Sequence, residues 1–131
     1  MRLVINEAKY QENLTIVTGK TTIGTIKGIW KNTENPVIGN KYHVELSINF
    51  PHEAHIQPKE KQFPFVSSDN AGVIFGGVCE GLDNEVYYLR FETDWIDMLD
   101  INAISSKKQK GDYISFTANY YDIEIYPYTI K

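Results

Sequence analysis

Between Tyr42 and Phe50 apolar and polar side chains alternate without a break. Tyr42, Val44, Leu46, Ile48 and Phe50 fall on one face, and His43, Glu45, Ser47 and Asn49 on the other. A period of two predicts a strand with one buried and one wet face, as antiparallel sheets have. The same rhythm returns in Glu85–Glu92, where Tyr87, Leu89 and Phe91 share a face opposite Val86, Tyr88 and Arg90. It returns again in Ile114, Phe116 and Ala118 and in Tyr121, Ile123 and Ile125, with Leu3–Ile5 and Leu14–Val17 as shorter candidates.

Two more strands, Thr22–Trp30 and Gly72–Glu80, are interrupted by Gly24 and Gly28 and by Gly76 and Gly77. Glycine inside a strand pattern marks a bulge, a sharp coil or a close backbone approach, the corners a small barrel needs in order to curl onto itself. Gly39-Asn40 and Gly81-Leu82-Asp83-Asn84 read as hairpin turns. One short helix is expected over Thr93–Leu99, capped by Thr93 or Asp94, with Asp97 in its first turn and Ile96 and Leu99 facing inward. Pro51 to Asn70, with Pro51, Pro58 and Pro64, reads as a long irregular loop of the functional kind. The expected fold is therefore all-β with one short helix. It is a single domain over residues 1–131, a small antiparallel Greek-key β-barrel of the oligonucleotide/oligosaccharide-binding (OB-like) kind. A β-sandwich or a lipocalin-like barrel remains open, because pattern alone does not fix topology.

At 131 residues such a chain buries roughly 68% of its unfolded surface, enough for a core without metals or disulfides. No apolar run reaches the roughly 18 residues of a membrane span, and Met1–Ile5 is too short for a secretory core, so the expectation is a cytoplasmic protein with no membrane partner. The single cysteine, Cys79, excludes an internal disulfide and any CxxC motif.

The net charge is −4, unevenly spread. Residues 1–66 carry eight Lys/Arg and six Asp/Glu; residues 67–131 carry five and eleven. Glu80, Asp83, Glu85, Glu92, Asp94, Asp97 and Asp100 follow one another with only Arg90 opposing them. Such a field repels phosphate backbones and attracts cations; its plainest role is solubility.

Catalytic signatures are lacking. His52-Glu53-Ala54-His55 has the wrong spacing for a zincin helix and no third ligand. Cys79 lies in an apolar strand, where an inert buried thiol is usual, with His43 as a distant base at best. Ser67-Ser68-Asp69 is ordinary turn chemistry. Gly76-Gly77 and Gly19-Lys20-Thr21 lack the flanking residues of phosphate loops. No carboxylate among Glu80, Asp83, Glu85, Glu92 and Asp94 is marked for a raised pKa. The expectation is no enzyme, no cofactor and no metal.

The aromatic residues are the remaining signal. Tyr113, Tyr120, Tyr121, Tyr126 and Tyr128 crowd the end, with Lys107, Lys108 and Lys110 nearby. They suit base stacking or a protein interface, and equally the filling of a small barrel with hydroxyls turned outward. Three classes follow: a protein-binding inhibitor, a single-stranded nucleic-acid module, and a small ligand-binding barrel or enzyme. Scattered lysines and an acidic second half disfavour the nucleic-acid module.

Gly28-Ile29-Trp30, Tyr42-His43-Val44-Glu45-Leu46, Gly111–Phe116 and Asp122–Tyr128 resemble the strand signatures of small bacterial β-barrel immunity proteins encoded beside polymorphic or contact-dependent toxins. The resemblance implies an inhibitor of a cationic partner such as a toxin nuclease domain, in which carboxylates stand in for phosphates. The expected surface is Glu80, Asp83, Glu85, Glu92, Asp94 and Asp97, facing outward together, with Tyr88 and Trp95 as anchors. The chain is expected as a monomer, or as a homodimer through an exposed edge strand.

Overall fold

A computed structural model describes residues 1–70, 72–83, 86–100 and 109–128. The described residues form eleven strands: β1 (Arg2–Gln11), β2 (Leu14–Thr21), β3 (Gly24–Trp30), β4 (Lys41–Ile48), β5 (His52–Ile56), β6 (Phe65–Ser68), β7 (Val73–Asp83), β8 (Val86–Glu92), β9 (Trp95–Asp100), β10 (Tyr113–Ala118) and β11 (Ile123–Tyr128). Among them are two 3-10 turns, Lys59–Lys61 and Tyr120–Asp122, and no α-helix.

Five strands close into a barrel. β1, β2 and β3 form an antiparallel meander, β4 returns antiparallel to β1, and β11 lies antiparallel to β4. The ring shuts where β11 runs parallel to β3, with Glu124 opposite Ile29 and Ile125 opposite Trp30. This closure is the Greek-key order of the OB-like barrel, as the strand pattern leads one to expect. Gly28 sits at the seam: a Cβ there would lie 2.8 Å from the carbonyl oxygen of Ile123, so a side chain would push β11 off β3. Leu3, Ile5, Val17, Ile26, Val44, Ile123 and Ile125 fill the interior. Each contributes roughly 1.5–3 kcal/mol by leaving water.

Between β4 and β11 the chain leaves the barrel, and the described residues between 49 and 122 build a second layer. β7 is its spine. β10 pairs with Val73–Val78 on one edge; β6 and then β8 take successive parts of the other. β5 extends the layer beyond β10 and β9 extends it beyond β8. The layer joins the barrel where Val66 of β6 meets Gly24 of β3 in parallel. Gly24 takes a φ of 140°, and a Cβ would lie 1.8 Å from the Val66 carbonyl oxygen, so only glycine permits this junction. Period-two burial in β8 turns Leu89 and Phe91 inward, and Phe75 of β7 and Phe116 of β10 are buried beside them, stacked on each other at 5.1 Å. These residues and the barrel interior form one continuous core.

Four expectations need correction. Thr93–Leu99 is not a helix: Thr93 and Asp94 turn the chain, and Trp95–Asp100 is strand β9. Two backbones paired along β8 satisfy more polar groups than one isolated helical turn would. The segment 51–70 is not one irregular loop, because β5 and β6 lie in it, each too short to show a period. Gly81-Leu82-Asp83 continues β7 past a bulge rather than forming the turn; Asn84 lies outside the described residues. β4 ends at Ile48, and Phe50 is exposed at a φ of 52° as the chain leaves the barrel.

Candidate functional site: the two faces of strand β9

The division into barrel and second layer is also a division of charge. Residues 1–48 and 123–128 carry six Lys/Arg and five Asp/Glu, whereas residues 49–122 carry six and twelve. Eight of those twelve lie between Asp69 and Asp100, where Arg90 is the only Lys or Arg. The acidity thus belongs to β7, β8, β9 and their connections.

The outer face of these three strands is set by their register. One row runs Val78–Arg90–Ile96 and the next Gly81–Tyr88–Met98. Gly81 offers no side chain against Tyr88. This leaves a shallow depression of about 330 Å³ lined by Glu80, Gly81, Leu82, Asp83, Tyr88 and Ile96. Ile96 is 45% exposed and Met98 65%. Apolar side chains side by side on a sheet face, with carboxylates at their rim, form a patch that water solvates poorly. Glu80 is not a free charge, for it is ion-paired with Arg90, whose guanidinium also donates to the carbonyl oxygens of Glu92 and Thr93.

The opposite face of β9 behaves differently. Trp95 is 4% exposed and packs on Phe91 at 4.8 Å. Asp97 follows it inward, partly buried, and accepts a hydrogen bond from Trp95 Nε1 at 2.7 Å. Burial pushes the Asp97 carboxyl up to about 6; the Trp95 hydrogen bond and the Met1 amine oppose the shift, and Glu45 adds to it. Asp97 borders a cleft of about 330 Å³ between β9 and the barrel strand β4, with Glu45, Leu46 and Tyr128 on its other side.

The expected eight residues therefore do not share one face. Glu80, Asp83 and Tyr88 come together on the outer one. Trp95 is a core residue, not an exposed anchor, and Asp97 points inward. Glu92 accepts a hydrogen bond from the Thr22 hydroxyl on the barrel, and Asp94, in the turn before β9, is 3.8 Å from the Met1 amine. Glu85 lies outside the described residues, as do Lys107 and Lys108. Ile96, Met98, Leu82 and Glu45 are the additions; the alternation of Trp95, Asp97 and Leu99 against Ile96 and Met98 carried the signal for the first two.

The other candidates are quieter. Cys79 is buried, and desolvation pushes its thiol up. His55 Nε2 lies 3.0 Å from Ser115 Oγ. Among the described residues no three His, Cys, Asp or Glu side chains gather as a metal site would require. Tyr113 and Tyr120 are partly exposed and Tyr121, Tyr126 and Tyr128 exposed, so most of the late tyrosines lie at the surface, while Tyr120 packs against the core. Comparison with protein-family models, with curated proteins and with solved structures finds no match for this chain.

Proposed function

We propose that this chain is a non-catalytic, protein-binding inhibitor whose target is a cationic protein, in keeping with the immunity-protein resemblance of its strands. A toxin nuclease domain is the target class that resemblance suggests. The observation that carries the reading is the outer face of β7–β9, where exposed Ile96 and Met98 flank a half-buried Tyr88 beside Glu80 and Asp83. An apolar centre with an aromatic residue supplies binding energy, and the acidic surroundings steer a basic partner and hold off other acidic proteins. The second layer carries this face while the barrel supports it, a division suited to recognition on a rigid scaffold.

A second reading, binding of single-stranded nucleic acid, has one observation in its favour. Lys27 Nζ lies 4.2 Å over the Tyr120 ring, which packs against Tyr121 with centroids 4.2 Å apart, a small basic and aromatic platform on an OB-like barrel.

One experiment separates the two. The purified chain is titrated with labelled single-stranded oligonucleotides at low salt, and with the basic domain encoded in the adjacent reading frame. Tight binding of that domain, weakened at least tenfold by Tyr88→Ala with Met98→Ala, supports the inhibitor. Oligonucleotide binding that falls steeply with salt, or an adjacent frame without a basic domain, overturns it.

A further inference from the structure

Among the described residues β9 pairs only with β8, so its second edge presents backbone donors and acceptors without a neighbouring strand. The consecutive residues Asp94 to Met98, from both faces of β9, line the cleft that separates it from β4 and Tyr128. The cleft therefore runs along that edge. Its charge is lopsided: Glu45, Asp94 and Asp97 border it, and the Met1 amine beside Asp94 is the only cation among its described lining residues.

A second copy of the chain is a poor occupant. Antiparallel addition of β9 to β9 centred on Asp97 sets one Asp97 against the other, which is destabilising across strands, and in any register the added strand brings carboxylates rather than cations to an acidic cleft. A basic strand has the reverse relation. Side chains of an added strand alternate, so every second one would meet Asp97 and Glu45 and the others would lie level with Ile96 and Met98.

Building on the cationic partner proposed above, we infer that an extended segment of that partner adds to the edge of β9 that pairs with no strand among the described residues, its Lys or Arg side chains entering the cleft and its alternate apolar side chains covering Ile96 and Met98. This mode of recognition takes affinity from main-chain hydrogen bonds and specificity from the alternate side chains. It predicts the chemistry of the segment, alternating basic and apolar, and a footprint that grips β9 from both faces.

The test uses three fluorescent seven-residue peptides of lysine and valine: one alternating, one with the same residues in two blocks, and one alternating but methylated at every backbone nitrogen. Anisotropy should show the alternating peptide binding at least tenfold more tightly than the other two. Asp97→Asn combined with Glu45→Gln should lower its affinity about tenfold. Neither change removes packing volume, so the fold survives both. Equal binding of all three peptides, no binding by any, or indifference to the double variant overturns strand addition. If the peptides fail while Tyr88→Ala still weakens the protein partner, only this inference falls. If the alternating peptide binds but no basic protein does, the inhibitor reading falls instead.

Discussion

Trp95 donates its indole Nε1–H to Asp97 over 2.7 Å, and the two are successive residues on the inner face of β9. A buried indole needs an acceptor, and a carboxylate two positions along a strand is well placed to be one. The same contact holds an acid where the alternation of the sheet asks for an apolar residue, which is how Asp97 comes to be desolvated.

A pH dependence of known sign follows. Asp97 holds its proton more tightly in the folded chain, near pH 6, than at its ordinary value of 3.8. The group favours folding most at low pH, and its contribution is lost as pH rises from about 4 through 6. The shift corresponds to roughly 3 kcal/mol at most, less where solvent reaches the carboxyl. Asp97→Asn should therefore be more stable than the parent by about 1–3 kcal/mol at pH 7 and equal to it near pH 3.5. Urea midpoints across that range decide it; two parallel curves would contradict the assignment.

The strand assignment of Trp95–Asp100 can be checked by truncation. On a strand Leu99 is buried and Ile96 exposed; on a helix the two would be buried together at i, i+3. Leu99→Ala should cost about 2–5 kcal/mol, and Ile96→Ala under about 1 kcal/mol. Comparable losses at both positions in thermal or chemical unfolding would restore the helix.

These two residues also mark what could be read from the chain alone. The alternation of β4 and β8 predicted strands because every second residue obeys it. β9 escaped because Asp97 occupies an inward position and, with Thr93 and Asp94, imitates the polar start of a helix. β5 and β6 escaped because four or five residues with prolines around them carry no period. The barrel was legible as a class from Gly24 and Gly28. Its division from the second layer was not, because the seam joins Ile29 to Glu124, and no local pattern encodes a contact so distant in sequence. The acidic run was plain, but a one-dimensional cluster says nothing of faces: Tyr88 and Asp97 are near in sequence and lie on opposite sides of the sheet.

The seam itself yields a prediction about the barrel. Gly28→Ala brings a methyl against the Ile123 carbonyl, and its cost should be roughly 1–3 kcal/mol, the range for overpacked interiors. Gly81→Ala, with nothing within 4 Å of the added carbon, should stay within about 0.5 kcal/mol of the parent. Differential scanning calorimetry of the pair tests the closure. A Gly28 variant as stable as the Gly81 one would mean that β3 and β11 do not meet as described.

Charge and apolar contact on the outer face should separate in kinetics. Asp83 lies exposed at the rim of the depression, and Glu80 is held by Arg90. Asp83→Lys therefore removes steering directly, whereas Glu80→Lys also leaves Arg90 facing a like charge. Both should slow association with a basic partner several-fold at low salt and flatten its salt dependence, with dissociation little changed. Tyr88→Ala and Met98→Ala remove contact area rather than field. They should speed dissociation about tenfold and leave association nearly as it was, since truncated contacts act mostly on residence time. Surface plasmon resonance at two ionic strengths resolves the four variants. If the lysine variants altered only dissociation, or the alanine variants only association, the division of labour between rim and centre would be wrong.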